Sequence, residues 1–125
     1  MQVGPLMNDE SATMLFKMMQ MAMDRQNVLA NNIANADTPG YTRKELSFQE
    51  QLASIVKSGD YKELSELKGA LVDDKTNPAR LDGNNIVLPK EMSEMTQNSM
   101  LHKLLARAYT TKVNILRDAI RSGGG

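Results

Sequence analysis

The two ends of this chain are built differently from its middle. Residues 11–36 and 90–121 hold neither glycine nor proline, whereas Pro39, Gly40, Gly59, Gly69, Pro78, Gly83 and Pro89 punctuate the stretch between them. Both uninterrupted runs place apolar side chains at steps of three and four residues, the spacing of one helix face. In the first the seam is Leu15, Met18, Ala22, Leu29, Ile33 and Ala36; in the second it is Met95, Leu101, Leu105, Ala108, Ile115 and Ala119. The pattern predicts an N-terminal helix over 11–36 and a C-terminal helix over 90–122, about 39 and 46 Å long at 1.5 Å per residue. The expected fold is all-α. Two long terminal helices pair in an antiparallel, coiled-coil-like arrangement, residues 37–89 form a turn, a short helix and an irregular middle, and residues 1–125 make one elongated assembly subunit.

The apolar arcs are too broad for a single neighbour. Val28, Met21, Phe16 and Met23 widen the first, and Met100, Leu104, Tyr109, Val113, Leu116 and Ile120 widen the second, well past the seam of a two-stranded coiled coil. Two solutions follow. Either the middle segments fold back to complete a compact four-helix domain, or neighbouring subunits bury what the pair leaves exposed. Ten methionines suit both, since Met is adaptable filler in cores and on interaction surfaces alike.

Within the middle, Pro39 pushes Thr38 out of the helical region, and Pro-Gly suits the central positions of a type II turn, so the first helix stops at Thr38-Pro39-Gly40. Ser47 and Glu50 read as a capping box before Leu52, Ala53, Ile55 and Val56, with Gly59 as the stop. Asp60 and Glu63 repeat the start signal ahead of Leu64, Leu67 and Leu71, but Gly69 weakens it, so 60–72 is expected as a frayed helix or an adaptable segment. The Asp82-Gly83-Asn84 turn precedes Ile86-Val87-Leu88, expected to be extended. Gly123-Gly124-Gly125 reads as a flexible end.

Composition excludes most chemistry. There is no cysteine and one histidine, His102, so thiolate sites, disulfides and histidine clusters are impossible; no catalytic residues, metal ligands or cofactors are assigned, and an enzyme is not expected. Charge balances at fifteen cations against fifteen anions, with five aromatic residues to stack on bases, so a nucleic-acid partner is not expected either. Residues 14–23 are broken by Lys17 and Gln20, too short an apolar run for a bilayer span, and no direct membrane insertion is expected. The first residues lack a basic region and a cleavage site, so no cleavable signal peptide is expected.

One stretch goes against helix propensity. Asn27, Asn31, Asn32 and Asn35 crowd one helical segment although asparagine is a poor helix former. Asn27, Asn31 and Asn35 fall at i, i+4 and i+8, a ridge of amides suited to bonding a neighbouring backbone or one another. The run from Ala30 to Tyr41 resembles the N-terminal signature of bacterial flagellar rod and hook proteins. Arg43 to Leu52, and Leu81-Asp82-Gly83-Asn84-Asn85 before Glu91 and Asn98, are similar to the short proximal members of the basal-body rod protein family. The length agrees, since hook and distal rod proteins insert large domains between the helices.

The resemblance implies a structural component of the flagellar rod in the basal body, exported through the flagellar export apparatus to the periplasm and built into the torque-transmitting drive shaft. Its implied partners are copies of itself, other flagellar rod proteins, the rod-to-ring adaptor and the MS-ring protein. It marks Asn31, Asn32, Asn35, Asp37, Thr38, Pro39, Gly40 and Tyr41 as family positions, holding the helix end and its contact to a neighbour. A free-standing helical module that binds another protein is the alternative expectation.

Overall fold

The computed structural model describes residues 10–124. Along the chain run helix α1 (Glu10–Ala34), strand β1 (Lys44–Ser47), helix α2 (Gln49–Ser58), a 3-10 turn (Tyr61–Glu66), strand β2 (Ala70–Asp73) and helix α3 (Leu88–Gly124). The two long terminal helices are present. At 25 and 37 residues they extend for about 37 and 55 Å, so α3 overhangs α1. Their contacts occur in opposite order along the two helices. Asn32 reaches Glu91, Arg25 reaches Glu94 and Ala22 accepts from Asn98, while the rings of Phe16 and Tyr109 lie 5.8 Å apart.

The fold is not purely α-helical. Strands β1 and β2 pair antiparallel, with Lys44 opposite Asp73 and Leu46 opposite Leu71. Residues 60–72, expected as a frayed helix or an adaptable segment, split into the 3-10 turn and β2. Leu64 and Leu67 stand three residues apart, a spacing that a 3-10 turn brings onto one side as well as an α-helix does, and both are buried. The helical turn ends at Glu66, Leu67 is extended, and Gly69, lacking a side chain, lets Leu46 of β1 lie against it. A β-carbon on Gly69 would stand 2.5 Å from the Leu46 side chain.

Other boundaries move by a residue or two for local reasons. α1 ends at Ala34, which leaves Asn35 and Ala36 in the turn. Ser47 belongs to β1, so the expected capping box does not form; Phe48 occupies the cap of α2 without a side-chain bond. Gly59 ends α2 as expected, in the left-handed region at φ 75°, with its N–H donating to Ile55 O. α3 starts at Leu88 rather than after an extended Ile86-Val87-Leu88. Pro89 is tolerated there because first-turn N–H groups have no helical partner. Gly123 and Gly124 continue α3; Gly125 and residues 1–9 lie outside the described residues.

The main apolar core lies on one side of α1. Met21 packs with Ile55 of α2 and with Leu64 and Leu67, flanked by Met14, Phe48, Leu52 and Tyr61. The middle segment thus covers one flank of α1, and α3 covers another through Ala22, Leu29 and Leu105. Among the described residues nothing covers the outer face of α3 in this way. Met100, Leu101, Leu104 and Ile115 are 66, 44, 65 and 49 % exposed. Among the described residues no helix is long and apolar enough to cross a membrane.

Leu64 has no exposed surface and joins the 3-10 turn to α1. Leu64→Ala is expected to cost about 2–5 kcal/mol, measured by urea unfolding followed through helical circular dichroism.

Candidate functional site

The family stretch and the turn before α3, far apart in sequence, form one site. Its centre is Asn32, fully buried on the last turns of α1. The amide uses both ends. Its Nδ2 donates to Lys44 O at 2.8 Å and to Glu91 Oε2 at 3.3 Å, and its Oδ1 accepts from Lys44 N at 3.0 Å and from the Tyr41 hydroxyl at 3.1 Å. Only a primary amide offers two donors and an acceptor with two lone pairs in that volume. Burial pushes the Tyr41 phenol up, so it remains the donor to Oδ1 at neutral pH.

Between α1 and β1 the chain reverses. Tyr41 N donates to Thr38 O at 3.2 Å, closing a turn with Pro39 and Gly40 at its centre, and Gly40 has φ +76° as a type II turn requires. The turn docks on residues 80–86. Gly40 N donates to Asp82 O at 2.7 Å, and the buried Asn84 sends Nδ2 to Asn35 O and Thr38 O, both at 2.9 Å. Asn84 Oδ1 accepts from Ile86 N, and Asp82 Oδ1 accepts from Asn84 N. Gly83 at φ +85° passes so close that a β-carbon would stand 3.1 Å from Gly40 Cα. Arg80 tightens the same junction, donating to Ala36 O and Ile86 O at 2.7 Å.

A charged layer lies beside the amides. Arg43, 4 % exposed, pairs with Glu91, Glu45 (2.8 Å), Asp74 (2.8 Å) and Glu94 (2.5 Å). Arg25 of α1 reaches Glu45 at 3.1 Å and Glu94 at 3.3 Å. Residues of α1, β1, α3 and the segments before β1 and after β2 make up this layer. Burial opposes ionisation of Glu45, yet bonds from Arg43 and Arg25 win and hold its carboxyl below the usual range. Asp74 is held low chiefly by Thr76 and then by Arg43. Burial likewise opposes the Arg43 charge, but Glu45 and Glu91 raise its pKa above the ordinary value.

The expected residues divide clearly. Asn32, Asn35, Thr38, Gly40, Tyr41, Asp82, Gly83 and Asn84 come together in the clasp. Asn31, Asp37 and Pro39 are exposed, and Asn27 with them, and of the amide ridge only Asn35 makes a side-chain hydrogen bond among the described residues. With Asn35 outside the helix, its Nδ2 donates to Asn31 O at 2.8 Å and its Oδ1 accepts from Thr38. The buried partner is Asn32, one position off the ridge. Of the seam residues, Ala22, Leu29 and Leu105 are buried, Leu15, Met18, Ile33 and Ala119 half-buried, and Leu101, Ala108 and Ile115 exposed.

Sequence reasoning did not assign roles to Arg43, Glu45, Asn85, Glu91, Glu94 or Asn98. Asn85 is another saturated amide, accepting from Arg43 N at 2.6 Å and donating to Asp74 O at 2.7 Å. Asn98 donates to Ala22 O and Gln26 Oε1, both at 2.7 Å, between the long helices. Asparagines in otherwise apolar or turn-forming segments were the available signal; the ion pairs join residues up to 69 positions apart, which no local pattern reveals. Among the described residues no group of acidic or histidine side chains is arranged to hold a metal. The arrangement ties the end of α1 to the start of α3 and fixes their relative position.

Known proteins are similar to this chain. A family model described as "Flagella basal body rod protein" matches residues 19–42, the last turns of α1 and the turn after it. The flagellar basal body rod protein FlgB of Bacillus subtilis is 31 % identical over 109 residues, covering 79 % of this chain and 84 % of that protein. FlgB of Borreliella burgdorferi is 30 % identical over 113 residues, with 74 and 84 % covered. FlgB of Escherichia coli is 26 % identical over 117 residues, with 79 and 84 % covered.

Asn32→Ala leaves the Lys44 amide and the Tyr41 hydroxyl without their acceptor and is expected to cost about 2–4 kcal/mol, against less than about 0.5 for the exposed Asn31→Ala, both read from urea midpoints. Acid is expected to weaken the clasp. Glu45 and Asp74 have ordinary values of 4.5 and 3.8 and titrate lower when folded, so the unfolded chain takes up protons first. Their contribution is complete above that range and falls as pH drops through it, measured as the unfolding midpoint across an acid titration.

Proposed function

From the premise that this chain belongs to the FlgB family of flagellar basal-body rod proteins and is a structural component of the proximal rod, we propose how its fold serves assembly. The long helices form an antiparallel, coiled-coil-like pair in an elongated subunit. The subunit assembles with copies of itself and with other rod proteins into the drive shaft and acts without catalysis. The rod-to-ring adaptor and the MS-ring protein are its further partners, and the flagellar export apparatus delivers it to the periplasm.

The observation that carries this reading is the uncovered apolar face of α3. Met100, Leu104, Ala108 and Ile115 recur along the helix at steps of four, four and seven, and all are exposed. A side chain of this kind gains about 1.5–3 kcal/mol on full burial, so the face favours a subunit covered by neighbours. The clasp complements it, because torque passing along packed helices requires that α1 and α3 keep a fixed relation. Apolar contacts can slide; saturated amides and paired charges specify one register.

Leu105, expected on the same seam, is turned toward α1 and is 7 % exposed, so its substitution would damage the fold itself. Leu104, 65 % exposed, separates assembly from folding. Leu104→Asp is expected to shift the unfolding free energy by less than about 0.5 kcal/mol and to abolish swimming and rod completion in cells carrying it as their sole copy. Normal motility with that variant would overturn the role given to this face.

A further inference from the structure

The exposed stripe of α3 has a counterpart elsewhere on the same molecule. Lys103 and Arg107 each precede an apolar stripe residue, Leu104 and Ala108, and so run along one edge of the stripe. Both are exposed, and neither has an ion-pair partner among the described residues. On the side of the molecule built by α2 and the 3-10 turn, an open groove of about 510 Å³ lies over Ile55 and Leu67 and is bordered by Glu50, Glu63 and Glu66. These carboxylates are exposed and also lack ion-pair partners among the described residues. A stripe with a cationic edge and a groove with an anionic rim are complementary in charge, and the Ser54 and Gln51 side leaves room for the small Ala108.

We propose that α3 of one subunit seats its Met100–Ile115 face in the α2/3-10 groove of a second copy of this chain. The contact rests on the self-assembly reading above and specifies its surfaces. Charge favours this pairing over its simplest rival. Two α3 stripes facing each other would bring Lys103 and Arg107 of both copies to one interface, whereas the groove sets them against Glu50, Glu63 and Glu66. The two surfaces lie on different parts of the chain, so each copy presents one and accepts the other. A heterologous contact of this type propagates as an open array unless its rotation closes a ring. It also gives the middle segment a second task, since α2 and the 3-10 turn cover α1 internally through Ile55, Leu64 and Leu67 and offer their outer side to the neighbour.

The natural absence of cysteine makes the contact directly testable. Ser54→Cys in the groove and Ala108→Cys on the stripe would be placed in separate chains, mixed at high concentration and treated with a short bis-maleimide. Cross-linked heterodimers are expected, and the chain carrying both substitutions should yield a ladder of higher multimers. The pair Glu63→Lys/Glu66→Lys should lower the cross-linked yield at least tenfold, with recovery when the other chain carries Lys103→Glu/Arg107→Glu. Cross-linking of Ala108→Cys chains to one another in preference to the mixed pair would overturn the proposal in favour of α3 against α3. If sedimentation shows multimers but the mixed pair does not cross-link, the groove is wrong while self-assembly stands. A chain that stays monomeric at every concentration would overturn both.

Discussion

The structure depends on one buried amide. Asn32 has to be an asparagine because it must donate to Lys44 O and Glu91 while accepting from Lys44 N and Tyr41, inside a volume closed to solvent. It sits where α1 ends, so satisfying it fixes the first residue of β1 and, through Glu91, the first turn of α3. The cost of a poor helix former within the last turns of α1, a few tenths of a kcal/mol to about 0.7, is small against leaving such groups unpaired at about 1–3 kcal/mol each.

Around that amide the chain layers devices that specify one arrangement. Asn84 and Asn85 hold the turn before α3, Gly40 and Gly83 allow two backbones to approach, and Arg43 gathers Glu45, Asp74, Glu91 and Glu94. Buried charge is a weak source of net stability, because desolvation offsets most of the Coulombic gain. Its value here is geometric. Four carboxylates from β1, the segment after β2 and α3 converge on one guanidinium, and this is satisfied in one register of the long helices. A subunit that leaves apolar surface on α3 needs such a constraint, since hydrophobic contact alone does not select among helix positions.

Much of the outline was legible along the chain. The runs 11–36 and 90–121 announced α1 and α3, Pro39-Gly40 announced the reversal, and Gly59 the end of α2. Each rests on local physics that tertiary contacts did not override: helical spacing, the proline ring, and positive φ at glycine. Where tertiary contacts did intervene, the local reading failed. Leu64, Leu67 and Leu71 keep helical spacing, but Leu46 occupies the space at Gly69 and draws Ala70–Asp73 into a ribbon with β1. Lys44-Glu45-Leu46-Ser47 carries little strand propensity and forms a strand because its partner and Asn32 hold it extended.

The site shows the same division. The sequence by itself determined that an asparagine-rich helix end and a Pro-Gly turn stand out, that there is no thiol and no histidine cluster, and that the helices carry more apolar surface than one pairing covers, since all of these follow from residue type and spacing. Only the tertiary structure decided that Asn32, one position off the Asn27, Asn31 and Asn35 ridge, is the buried amide, that Arg43 is the hub of the charged layer, and that Leu105 faces inward while Leu104 faces out. The reason is physical: hydrogen bonds and ion pairs require atoms within about 3 Å, and which distant residues meet at that distance is set by the packing of whole elements, to which neighbours in the chain contribute only direction.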